Sequence, residues 1–184
     1  MSPAHDEATA LVVEVPEADE VVGDLRLRHD RVAPLGMPAH VTVLYPFRRP
    51  DAIRPQVLAE ALDVIGDLAP FTVTFDAVAT FPAKVVYLVP DPPGPFVALT
   101  AALVRAFPDC QPYGGQFSET IPHLTIGHAD DDAALTSLVV ASTHALDGGP
   151  ITSRVEAVSL FSRDATGHWT RRTRIPLGTD PTIA

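Results

Sequence analysis

His40-Val41-Thr42-Val43-Leu44-Tyr45 is answered 83 residues later by His123-Leu124-Thr125-Ile126-Gly127. Both stretches open His-apolar-Thr-apolar, and both lie in apolar runs of strand composition, 40–45 and 122–127. Side chains on a strand alternate between faces, so His40 and Thr42 share one face while Val41 and Val43 share the other. His123 and Thr125 repeat the arrangement against Leu124 and Ile126. Each strand therefore predicts an aliphatic side for a core and a polar side presenting an imidazole beside a hydroxyl. Together they supply two proton-transfer groups and two hydroxyl donors, the equipment for chemistry on a phosphate. A single histidine on a half-buried strand is most often structural, and it is the duplication that changes the reading.

The duplication extends well beyond the two histidines. Shifted by 80 residues, Phe71-Thr-Val-Thr-Phe-Asp-Ala-Val-Ala-Thr-Phe81 lies over Ile151-Thr-Ser-Arg-Val-Glu-Ala-Val-Ser-Leu-Phe161. Upstream, Leu11-Val-Val-Glu-Val-Pro16 resembles Val85-Val-Tyr-Leu-Val-Pro90. Helices are predicted over 18–28 and 96–107, and again over 53–68 and 130–146. The order strand, helix, histidine strand, helix, strand is thus read twice, an internal duplication rather than a solenoid. Pro90-Asp-Pro-Pro-Gly-Pro95 is expected to form a rigid crossover between two lobes. Asp130, Asp131 and Asp132 read as the acidic opening of a helix, where carboxylates complement exposed N–H groups.

At 184 residues, with 46% apolar and 20% charged residues, the chain suits one compact domain spanning 1–184. Residues 1–9 and 178–184 read as loose tails. No apolar run reaches the ~20 residues of a membrane span. The first residues lack a signal-peptide pattern, and Cys110 is the only cysteine, so a reducing, cytoplasmic location is expected.

Thirteen Lys and Arg against 23 Asp and Glu give a formal net charge of −10. Such a surface repels long polyanions, so stable binding of long nucleic acid is not expected. Twelve of the thirteen basic residues are arginine, able to hold phosphate oxygens bidentately. Arg48-Arg49 follows the first histidine strand. Arg171, Arg172 and Arg174 sit beside Trp169 in what reads as an edge strand.

Other chemistries lack their residues. There is no H-E-x-x-H and no cysteine pair, and the odd offset of His123 and His128 puts them on opposite strand faces. No metal and no cofactor are expected. Gly114-Gly115 is followed by Gln-Phe-Ser rather than Gly-Lys-Ser, which excludes a phosphate loop of that kind, and G-x-S-x-G is absent.

His40-Val-Thr-Val-Leu-Tyr-Pro-Phe47 and Pro122-His-Leu-Thr-Ile-Gly127 resemble the paired H-x-T-x motifs of the two-histidine (2H) phosphoesterase superfamily. That superfamily includes 2′-5′ RNA ligase-like proteins and cyclic nucleotide phosphodiesterases, and the resemblance runs from about residue 11 to 177. It implies an α+β fold of two lobes, each an antiparallel sheet with outer helices, about a pseudo-twofold axis and a central cleft. It also implies metal-independent opening of 2′,3′-cyclic phosphates, or action on 2′-5′ linkages. His40 is then the proton donor and His123 the acceptor, with Thr42 and Thr125 binding the phosphate.

Arg48, Tyr87 and Tyr113 are candidate substrate contacts, whereas alternation puts Tyr45 on the core face. The acidic charge favours a small nucleotide or an RNA terminus bearing a cyclic phosphate, handled by a monomer. Two further classes remain: a nucleotide-sensing module without turnover, and a purely structural protein. Ligation is the reverse of the same chemistry.

Overall fold

The computed structural model describes residues 7–116 and 120–178. Its elements run β1 (Ala8–Glu14), α1 (Pro16–His29), β2 (His40–Leu44), α2 (Pro55–Gly66), β3 (Phe71–Phe81) and β4 (Val85–Asp91). There follow α3 (Gly94–Ala106), β5 (Leu124–His128), α4 (Asp132–Ala145), β6 (Ile151–Val155), β7 (Ala157–Arg163) and β8 (Trp169–Pro176). The fold is α+β, and the predicted helices form close to their expected limits. α1 starts on Pro16 with Glu17 and Asp19 in its first turn and Arg26, Arg28 and His29 in its last, an order that complements the helix dipole. At α4, Asp131 is the N-cap, its carboxylate accepting the Ala134 N–H at 2.7 Å. Among the described residues, no helix is long and apolar enough to cross a membrane.

The strands form one antiparallel sheet in the order β6-β3-β4-β5-β2-β1-β7-β8. The expectation of a separate sheet in each lobe is corrected here, because β2 and β5 meet and join the halves. That junction is thin, a single register pair of Val41 with Leu124. The strands are also dealt out differently from the repeat order. β3 pairs with β4 and β6, and β7 pairs with β1 and β8. The run 151–161, expected as one strand, breaks at Glu156 into β6 and β7. β6 is the edge strand on one side and β7 the last but one on the other, although only Glu156 separates them, so the sheet must curl to bring its ends together. The Leu177 N–H to Glu156 carbonyl bond, at 2.9 Å, ties the end of β8 to this turn.

All four helices cover one face. Ala18 and Val22 of α1, Ala61 and Ile65 of α2, Phe96, Leu99 and Leu103 of α3, and Leu138 of α4 join one buried cluster. Sheet residues Leu11, Val41, Val43, Phe75, Val86, Leu88, Leu124 and Ile126 complete it, so the core spans both halves. The opposite face carries a smaller cluster of Ala10, Val12, Met37, Phe161 and Trp169. Helix placement is crossed: α1 packs on β5 and α3 packs on β2.

Two further expectations change. Pro90–Pro95 closes β4 and opens α3, since its prolines can take the first turn of a helix. It is not the crossover between halves: the chain passes from one side of the β2–β5 junction to the other between α2 and β3, and returns at Glu156 between β6 and β7. The expected tails are shorter than 1–9 and 178–184. Ala8 and Thr9 are buried in β1, and Gly178 donates its N–H to the Leu68 carbonyl at 2.8 Å. Residues 1–6 and 179–184 lie outside the described residues.

Candidate active site

Val41 and Val43 point into the helix-covered core, which turns His40 and Thr42 to the open face. Leu124 and Ile126 do the same for His123 and Thr125, all four polar residues being half-buried. Carrying the antiparallel pairing of Val41 with Leu124 one residue each way sets Thr42 across from His123 and His40 across from Thr125. The four side chains thus form a quadrilateral with histidine facing threonine on both sides.

The two imidazoles are held by the same local device. His40 Nδ1 lies 2.8 Å from the Pro38 carbonyl, and His123 Nδ1 lies 2.7 Å from the Ile121 carbonyl, two residues back in each case. A carbonyl only accepts, so Nδ1 carries the hydrogen, and the neutral ring keeps its lone pair on Nε2. Protonated, the same ring offers Nε2–H. Burial is the main force lowering both rings from the ordinary histidine value. His40 is held down to about 4, with the Arg26 guanidinium and the charge of His123 pushing the same way against Pro38 and Asp30. His123 is lowered by burial against the opposing bond to Ile121.

Tyr87, opposite Thr125 in the β4–β5 register, is brought to this site. Its ring stacks on Phe81 at 4.2 Å, and the His123 ring stands edge-on to Phe81 at 5.0 Å and to Tyr87 at 5.6 Å. Tyr113 also arrives, held by its N–H on the Tyr45 carbonyl at 2.6 Å, and its hydroxyl hydrogen-bonds Thr42. Burial raises the Tyr113 hydroxyl. Its φ of 52° opens a left-handed run with Gly114 and Gly115, a conformation that costs a tyrosine about 1 kcal/mol.

Arg48 is not brought to the histidines. It sits beside Thr9, five residues before the Glu14 that pairs with His40, and so about 17 Å away along β1. Its guanidinium is engaged with Asp109 at 2.9 Å and lies over the Phe107 ring. Tyr45 moves the other way. A register shift pairs Leu11 with Leu44 but Val12 with Thr42, so Val43 and Leu44 both enter the core. Tyr45 is thereby turned to the site's face, edge-on to Trp169 at 6.0 Å. A second shift, in β4–β5, breaks the alternation on which the His123–His128 separation rested. Burial lowers the His128 ring, with Arg31 pushing the same way against Asp30 and the His29 backbone.

Sequence reasoning missed three residues. Glu14 stands beside His40 in the β1–β2 register, bonded by the Ser159 hydroxyl and, at 3.2 Å, by Arg171. Alternation along 11–16 already set Glu14 apart from Val13 and Val15. Phe81 closes the ring cluster, and its signal was the matched Phe161 at the end of the repeat. Arg26 lies fully buried behind the site. Its clue was position, a charge on the Ala18–Val22–Arg26 stripe of an otherwise apolar helix face. Among the described residues, no three His, Cys, Asp or Glu side chains gather as a metal site.

The 2′-5′ RNA ligase superfamily pattern matches residues 14–167 of this chain. No match is found among curated proteins. Among solved structures, TT0787 of Thermus thermophilus aligns at 20% identity and TM-score 0.60, covering 94% of this chain and 99% of that one. E. coli LigT complexed with NADP+ aligns at 19% identity and TM-score 0.56 over 95% and 99% of the two chains. LigT complexed with 3′-AMP aligns at 16% and 0.58 over 94% and 99%. At such identities the likeness carries the fold, and the family rests on the sequence match. With that match running through both histidine strands, this chain belongs to the 2′-5′ RNA ligase superfamily of 2H phosphoesterases.

Proposed function

We propose that this chain is a single-domain, metal-independent phosphoesterase that opens 2′,3′-cyclic phosphates of small nucleotides or RNA ends, working in the cytoplasm as a monomer. The observation that carries the reading is the pair of imidazoles on one sheet face, each pinned through Nδ1 with Nε2 left for chemistry. Water attacks phosphorus as neutral His123 takes its proton at Nε2. The bond from phosphorus to one ribose oxygen breaks, and protonated His40 gives that oxygen its Nε2 proton. Solvent then resets both rings. The donor role of His40 follows the family resemblance, and it requires the anionic phosphate to raise this ring from its lowered value so that it carries a proton.

Thr42 and Thr125 donate to the non-bridging oxygens, pre-set by the strand register. Tyr87 and Tyr113 frame the substrate; Arg48 contributes nothing directly. Nucleotides bound to LigT in its 3′-AMP and ATP complexes agree with a small nucleotide here. We also read the halves β5-β4-β3-β6 and β2-β1-β7-β8 as related by a pseudo-twofold axis between β5 and β2. The deciding experiment incubates purified protein with 2′,3′-cyclic mononucleotides and with RNA ending in a cyclic phosphate. Ring opening is expected. Phosphate-competitive binding without turnover would make the protein a sensor and overturn the enzymatic reading, and joining of RNA ends would reverse its direction.

A further inference from the structure

The two histidine strands share one backbone register pair, Val41 with Leu124, so ladder hydrogen bonds alone fix their separation weakly. A guanidinium lies behind that junction. Arg26 of α1 is 1% exposed. Its Nε donates to the Thr125 carbonyl at 3.2 Å, and its Nη1 to Asp19 Oδ1 at 3.1 Å. Its Nη2 donates to Asp30 Oδ2 at 2.8 Å and to the Met37 carbonyl at 3.3 Å. Asp19 accepts the Ala39 N–H at 3.0 Å on both oxygens, and Asp30 accepts the Val32 N–H at 3.2 Å.

One side chain therefore grips the strand that follows His123 and, directly at Met37 and through Asp19 at Ala39, the residues flanking Pro38, whose carbonyl holds His40. The partner brace is slighter: Thr100 of α3 donates one bond to the Val43 carbonyl at 2.8 Å. Packing alone does not explain an arginine here. The stripe of Ala18 and Val22 would accept an apolar side chain, and burying an ion pair rarely gains over a well-packed apolar residue. What the guanidinium adds is a rigid fork able to serve four acceptors in fixed directions.

We propose that Arg26 is a positioning residue for the two-histidine reaction, setting the separation and orientation of His40 and His123 from behind the sheet. The inference rests on the phosphoesterase reading above and deepens it. Arg26 and Asp30 act on His40 from α1 and its end, His123 from across the junction, and Glu14 stands beside it on β1. Arg26 lowers His40 more than Asp30 raises it.

Two variants test this with 2′,3′-cyclic AMP as probe and ring NMR titration of the histidines. Arg26→Lys keeps the charge but loses the fork. The expected result is a fall in kcat of roughly tenfold or more at a nearly unchanged KM, with the His40 midpoint still low. Arg26→Gln with Asp30→Asn removes the guanidinium without stranding the buried Asp30 carboxylate. Here kcat should fall as well, and the His40 midpoint should move up. Wild-type kcat in either folded variant, or a loss confined to KM, overturns the proposal. Should the wild-type protein open no cyclic nucleotide, it is the phosphoesterase reading that fails. Arg26 is then judged by the titration, and a His40 midpoint unmoved in the double variant overturns its role.

Discussion

The surroundings of His40 differ in kind from those of His123, although the two share a motif and a backbone catch. His40 has charges nearby: Arg26 of α1, Asp30 at the helix C-cap, and Glu14 at its side on β1. His123 has rings, Phe81 and Tyr87, and a single carbonyl. A duplicated sequence can thus give matched geometry and unmatched electrostatics. The contrast arises because the helices cross: α1 of the first repeat carries its charges to the junction, while α3 offers a threonine. A two-histidine reaction needs one ring charged and one neutral, and unequal company is a physical means of separating them.

The largest expected effect comes from removing either ring. His40→Ala and His123→Ala should each lower kcat by roughly 10²-fold or more, the usual scale for a lost acid–base group. The double variant should fall far short of the product of the two, since each ring is useful mainly while the other works. Wild-type turnover in a folded double variant would make the whole comparison irrelevant to function. Next come the hydroxyls. Thr42→Ala and Thr125→Ala should cost about tenfold each, leaving proton transfer in place. Tyr113→Phe should change kcat only a few-fold, by releasing Thr42; a loss as large as that of a histidine would move Tyr113 into the proton-transfer machinery.

The comparison is sharpened by pH. Both rings are lowered, so the bell-shaped profile of kcat/KM should lie on the acid side of the ordinary histidine value. Bound anionic phosphate favours the charged rings, so the kcat profile should lie at higher pH. Coincident profiles near that ordinary value would remove the role assigned to burial.

Stability follows the same sign. As pH falls from about 6.5 to about 4 the unfolded chain binds a proton that folded His40 refuses. Stability is therefore full above this window, declines through it and levels below it, by at most about 3 kcal/mol from His40. Denaturant midpoints of His40→Ala should show a shallower decline, His123 and His128 supplying part of the remainder; an unaltered slope would mean that His40 is not held neutral. The smallest effect expected is that of EDTA, which should leave turnover unchanged. Loss on chelation, restored by a divalent cation, would replace the two-histidine mechanism.

The sequence by itself determined which side chains share a face. His40 with Thr42 and His123 with Thr125 follow from strand alternation alone, and the helices from apolar spacing and acidic starts such as Asp131. Those are local properties, set within a few residues by covalent geometry and caps.

Alternation misled at the bulges. The extra residue at Val43 and Leu44 turned Tyr45 to the open face, and nothing in those residues announces a register shift set by the neighbouring strand. Tertiary structure alone decided the single β2–β5 junction, the separation of β6 from β7 at Glu156, and the retreat of Arg48 to Asp109. It also decided that a buried arginine from one repeat would brace the histidine strand of the other. Each of these depends on which distant segments meet, a matter of long-range packing that periodicity does not encode.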